Sequence, residues 1–373
     1  MPPTPDPIED DLDSLPPPPP VFHVEQALLG ALLLEPHRAA SLTGIPAEAF
    51  STAGHAALLT AIRSLPAPEP AQHSRNTAWL NQVLAAAGEQ TRGLTTTYLH
   101  HLIQCCPEPQ HAPAYARIIE EEHSRRLLRA AAHRLIQTTL DTSLPHRVAT
   151  TLAEAGALTT VVDDIATRFP TRSGSLSRTP ASTPVTAHDE EAGEEERLLL
   201  ATATARPGSV ERMRWLIPGD FTDPLHAGLW QCLITLTRRG TPIDPVTVLW
   251  GAQHRGLVAT GTAEPRELLG FLSEADGCPP EYWGEQILLR SLLTTAHRSG
   301  RRIEKLTGDP ATTTYQLVVG ARRALADLSA VRVRWQHATT PPPANARVSN
   351  RISAPPRAGP LPTTAPPAVR IPR

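Results

Sequence analysis

Lysine is nearly missing from these 373 residues: Lys305 stands alone, and arginine supplies every other basic side chain. A phosphate-binding P-loop needs a lysine directly after its glycine-rich turn, in the pattern GxxxxGK[ST]. Lys305 sits in IEKLTGD, so the sequence holds no P-loop, and ATP or GTP hydrolysis of that kind is excluded from it. Cysteines are few, at Cys105, Cys106, Cys232 and Cys278, and none forms a CxxC pair. They read as reduced thiols of a cytoplasmic protein. No apolar run approaches the roughly 18 residues that a membrane-spanning helix needs. The first twenty residues, acidic and proline-rich, are not a signal peptide. The formal net charge of −2 excludes polyanion binding by overall charge alone. Sustained strand alternation is absent, and β-branched runs are short.

The usual catalytic patterns are missing too. There is no HExxH, no EF-hand loop and no GxSxG elbow. His100 and His101 are adjacent, so on a helix they point to different faces and do not converge on a metal. Asp163-Asp164 and Glu120–Glu122 read as solvated helix faces, and the six tryptophans as core. No catalytic, cofactor-binding or metal-ligating residue is assigned, and the chain is read as a non-enzyme.

What is present is a duplication. Glu25–Leu65 superposes without a gap on Glu196–Leu236 at an offset of 171 residues. Glu25 falls on Glu196, Leu28 on Leu199, Pro36 on Pro207, Phe50 on Phe221 and His55 on His226; the same offset carries Trp79 onto Trp250. An offset held this long marks a duplicated domain and not a short solenoid unit.

Apolar residues at helical spacing predict an all-α fold throughout. Residues 1–20 are expected to be a disordered acidic, proline-rich tail. A first helical domain spans 21–168, a linker 169–193, a second helical domain 194–336, and a proline-rich basic tail 337–373. Ser51 or Thr52 caps one helix of the first copy; Asp223 and Asp244, each just before a proline, mark starts in the second. Each small bundle ends in two long amphipathic helices with a short break, an αα-hairpin. Here the register slips by three, so Tyr115 matches Trp283, Ile119 matches Ile287 and Leu135 matches Ile303. Arg125, Arg126, Arg129 and Arg134 lie on the first hairpin, and Arg298, Arg301, Arg302, Arg322, Arg323, Arg332 and Arg334 on the second. Such residues can touch phosphates, but those of the first copy alternate with glutamates and favour helix-surface pairing. The tail arginines Arg347, Arg351, Arg357, Arg370 and Arg373 are candidates for salt-sensitive DNA contact.

VFHVEQALLGALLLEPHRAASL followed by AEAFSTAGHAALLTAIRSL resembles the N-terminal domain of DnaB-type replicative helicases. YARIIEEEHSRRLLRAAAHRLI is similar to the start of that family's helical hairpin, and DFTDPLHAGLWQCLITLTRRGTPIDPVTVLW to the segment between. The family's RecA-like motor has no counterpart here, and the second copy reads LLLATAT in place of LLGALLL. The resemblance implies a protein-interaction module: a collar of paired hairpins that receives primase and regulates loading, without cofactor or ATP hydrolysis. The expected partners are a replicative helicase or its primase, with no membrane. Alternatives are a DNA-binding architectural protein using the arginine tail, or a component of a helicase whose motor is on another chain. Two copies in one chain suggest that the hairpins pair with each other. Tyr115, Ile118, Ile119 and Leu127 on one side and Trp283, Ile287, Leu288 and Leu292 on the other are the expected contact residues.

Overall fold

The computed structural model describes residues 17–42, 44–170, 190–258, 264–275 and 277–340. The tail arginines from Arg347 to Arg373, residues 1–16 and most of the linker lie outside it. The described residues are helical, with no strand among them.

The first copy builds α1 (Pro20–Leu34), α2 (Ala53–Ser64), α3 (Pro70–His73), α4 (Ala78–Gln90) and α5 (Thr96–Gln104), then a hairpin of α6 (Ala112–Leu140) and α7 (Arg147–Arg168). The second builds α8 (Glu190–Ala205), α9 (Gly208–Arg212), α10 (Pro224–Arg239), α11 (Pro245–His254) and α12 (Pro265–Ser273), then α13 (Pro280–Gly308) and α14 (Thr314–Thr339). Proline opens many of these helices at the first turn, where its missing N–H costs no intrahelical bond. Side-chain caps set other starts. The Thr52 hydroxyl accepts from His55 N, Thr95 from Tyr98 N, and Asp244 from both Val246 N and Thr247 N. Pro36–Ser41, after α1, is a 3₁₀ turn.

α1 is buried without a break from Glu25 to Leu33. A helix enclosed on all sides is the centre of its bundle, and α2, α5 and the start of α6 pack around it. This first core ends at Ile119. A second core begins at Leu128 and runs through both hairpins into the second bundle, ending at Val331. The two hairpins and the second bundle therefore share one apolar interior.

Burial follows the duplication into the last helix. Thr151, Ala155, Leu158, Val162 and Ile165 of α7 are buried, and so are Leu317, Ala321, Ala324, Leu328 and Val331 of α14, each 166 positions on. One equivalence fails. Trp79 is buried and its indole N–H donates to Pro66 O at 3.1 Å, whereas Trp250 is 64% exposed. Trp79 is the second residue of its helix and Trp250 the sixth of α11, so the helical phase differs and the ring turns outward.

Candidate interaction site: the paired hairpins

In each bundle the hairpin is carried on a small scaffold locked by one buried carboxylate. Glu25 in α1 accepts from Ser51 N (2.7 Å) and Ser51 Oγ (2.8 Å), and from His55 Nδ1 (2.7 Å). Its counterpart Glu196 accepts from Thr222 N (2.6 Å), Thr222 Oγ1 (2.8 Å) and His226 Nδ1 (2.9 Å). All six residues sit at the same offset, so the duplication holds at atomic detail. In the first copy Tyr98 continues the chain, its hydroxyl 2.7 Å from His55 Nε2, and burial pushes that hydroxyl above its ordinary pKa. The order Glu–His–Tyr resembles a proton relay. Glu25 and His55 are nevertheless 0% and 1% exposed, so no substrate reaches them, and their work is to pin the turn before α2 onto α1. This pair was missed in the sequence, although Glu and His recurring together at one offset was the signal.

α6 runs antiparallel to α13. At the crossing, a side chain on Gly300 would meet Ile136 Cγ1 at 2.7 Å and Ala132 O at 3.2 Å, so the backbones are close. On one side of the crossing the Thr139 hydroxyl lies 3.2 Å from His297 Nδ1, and on the other Arg129 Nε donates to Thr307 Oγ1 at 3.4 Å. With the hairpin offset of 168, Thr139 is equivalent to Thr307 and Arg129 to His297. Residue i touches j in one contact, and their equivalents exchange places in the other. That reciprocity is the signature of a two-fold, self-complementary interface. Here it lies within one chain. Ala132 and Gly300 are themselves equivalent and mark the pseudo-axis.

One clasp departs from the symmetry. Arg125 donates from Nη1 to Asp309 O (2.8 Å) and from Nη2 to Thr312 O (2.5 Å), and Arg129 donates to Thr307 O. These are the open carbonyls at the α13 C-terminus and its turn, where a cation is favoured. The equivalent of Arg125 is Leu293, so only the first hairpin makes this clasp. Further along, Asp163 on α7 pairs with Arg322 on α14 at 2.8 Å.

The sequence-selected contact residues divide. Ile287, Leu288 and Leu292 are in the shared core, with Trp283 packed against it. Ile119 and Tyr115 instead face the first bundle's core. Ile118 and Leu127 are 46% and 44% exposed, a correction to their expected place in the seam. On α6, Ala132 and Ile136 meet Gly300 of α13, and Leu128, Ala131 and Leu135 lie in the shared core. The helical stripe rotates along α6, because its first half serves α1 and its second half α13. The arginines are also largely engaged: Arg126 with Ala49 O, Arg134 with Glu154, Arg301 with Glu304 and Arg334 with Asp220.

Among the described residues no group of His, Cys, Asp and Glu is placed to hold a metal, and no helix is long and apolar enough to cross a membrane. The model of the DnaB-like helicase N-terminal domain matches residues 17–121 and 188–275, just over half of the sequence. The chain belongs to this DnaB-like family. The first matched segment ends ten residues into α6 and the second ends before α13, so family membership rests on the two bundles, and most of the hairpin residues lie beyond it. No curated protein and no solved structure gives a match.

Proposed function

We propose that this DnaB-like chain is a non-catalytic accessory protein of DNA replication that acts in the cytoplasm by binding a replicative helicase or its primase. The observation that carries the reading is the intramolecular pair. Two helicase-type N-terminal domains in one sequence lay their hairpins together through a reciprocal contact, so one chain has the form of a subunit pair. The absence of a P-loop lysine from the sequence supports a role without nucleotide hydrolysis. With the hairpin faces already covered by each other, the outer surfaces of the bundles and the exposed side of α6 around Ile118 and Leu127 remain for a partner.

The test uses the purified full chain with the replicative helicase and the primase of the same host. Sedimentation velocity in the presence of nuclease is expected to show a complex with one of them, and an unwinding assay then gives the direction of the effect. Absence of a complex with either protein contradicts the proposal.

A further inference from the structure

The duplication provides an internal control for charge. In the first hairpin Arg134 reaches across to Glu154 on the neighbouring helix, Nε to Oε2 at 3.4 Å. Its equivalent in the second hairpin is Arg302. The position equivalent to Glu154 is Gly320, so the carboxylate is gone. One turn before Arg302, the equivalent of Ala130 is Arg298. Both changes raise positive charge at one place. Arg302 is half-buried, and its Nε is fully buried with no hydrogen-bond partner.

These residues line a groove between α13 and α14 of about 280 Å³, with Thr295, Ser299, Asp327 and Arg334. Arg334 is engaged by Asp220, and the Ser299 hydroxyl donates to Ala324 O at 2.8 Å. Among the described residues Arg298 and Arg302 have no acidic partner within ion-pair distance, and Asp327 is a lining carboxylate without an ion pair there. The two guanidiniums, one turn apart on the same helix, therefore outnumber that acid.

We infer that the groove between α13 and α14, with Arg298 and Arg302, is a phosphate-binding site particular to the second copy. Planar guanidinium forks match phosphate oxygens in geometry and charge, and Thr295 adds a hydroxyl. The phosphate belongs either to a nucleic-acid backbone or to a free pyrophosphate-like anion.

Binding of inorganic pyrophosphate and of fluorescein-labelled oligo(dT) to the full chain at low salt tests the site and separates the sources. The double variant Arg298→Ala, Arg302→Gln is compared with Arg134→Gln in the first hairpin. A loss of about tenfold for the double variant, with Arg134→Gln unchanged, is expected. Loss confined to oligo(dT), with a salt slope shallower by about one or two, assigns a nucleic-acid backbone. Loss confined to pyrophosphate assigns a free phosphate. If the double variant does not fold, Arg298→Ala alone is read, since that side chain is exposed. Equal affinity of the variants and the parent chain for both probes, or no binding of either, overturns the site.

Discussion

Gly300 faces Ala132 across the seam between α13 and α6, and the two are the same position in the duplicated hairpin. A two-fold axis brings equivalent residues closest together, so small side chains are required where it passes. Replacing Gly300 with leucine forces atoms into Ile136 and the Ala132 carbonyl. Overpacking of this kind costs about 1–3 kcal/mol. Thermal unfolding is expected to shift down by several degrees, and limited proteolysis to cut between the hairpins sooner. An unchanged melting temperature would mean that the helices are not in contact there.

Arg125 ties the first hairpin to the turn after α13. Arg125→Ala removes charged hydrogen bonds to three carbonyls, two of them at or below 2.8 Å, and is expected to cost about 1.5–3 kcal/mol. The equivalent substitution, Leu293→Ala, acts differently, by removing apolar packing from the shared core. Urea titrations give the size of each loss, and amide hydrogen exchange separates the two: exchange in the α13–α14 turn accelerates selectively in Arg125→Ala.

Substituting either buried histidine of the two scaffolds by alanine leaves a carboxylate enclosed without its partner. Leaving a buried acceptor short of one donor costs about 1–3 kcal/mol. His55→Ala and His226→Ala are expected to lower stability by similar amounts, each unfolding its own bundle first. Chemical shifts of Ser51 and Thr222 amide protons, which donate to the two glutamates, report the loss separately.

His297 gives the seam a pH dependence. Burial, followed by the charge of Arg301, lowers its pKa in the fold, with Glu304 opposing. A histidine whose folded pKa is depressed stabilises the fold fully above its unfolded value, near 6.5, and that stability is lost as pH falls below it. His123 shifts in the same direction through burial and the charges of Arg126 and Arg168. Stability measured between pH 7.5 and pH 5 is expected to fall less steeply in His297→Gln than in the parent chain.

The all-α class, the two hairpins and most helix starts were legible because they depend on local signals: apolar spacing, proline at the first turn, and caps such as Thr52 and Asp244. The placement of single residues across the seam was not. Ile118, Ile119 and Leu127 all fit a helical stripe, but α6 changes partner along its length, and periodicity alone does not say where. Trp250 shows the same limit, since a shared offset does not preserve helical phase once a helix starts at a different point. The arginines were ambiguous for a further reason. Whether a guanidinium meets a glutamate, an open carbonyl or nothing depends on the neighbouring helix, as Arg134, Arg125 and Arg302 illustrate.

The hairpins pair within one chain, and a cross-link tests this most directly. His133 Nδ1 and Glu304 Oε1 lie 3.6 Å apart across the seam, which places a cross-link there within easy reach. Cysteines at these two positions, with the four native cysteines replaced by serine, are treated with a short bismaleimide and resolved on a denaturing gel. Efficient cross-linking is expected at the 40.2 kDa mass of a single chain. A product only at twice that mass would place the contact between chains, and no product would remove it.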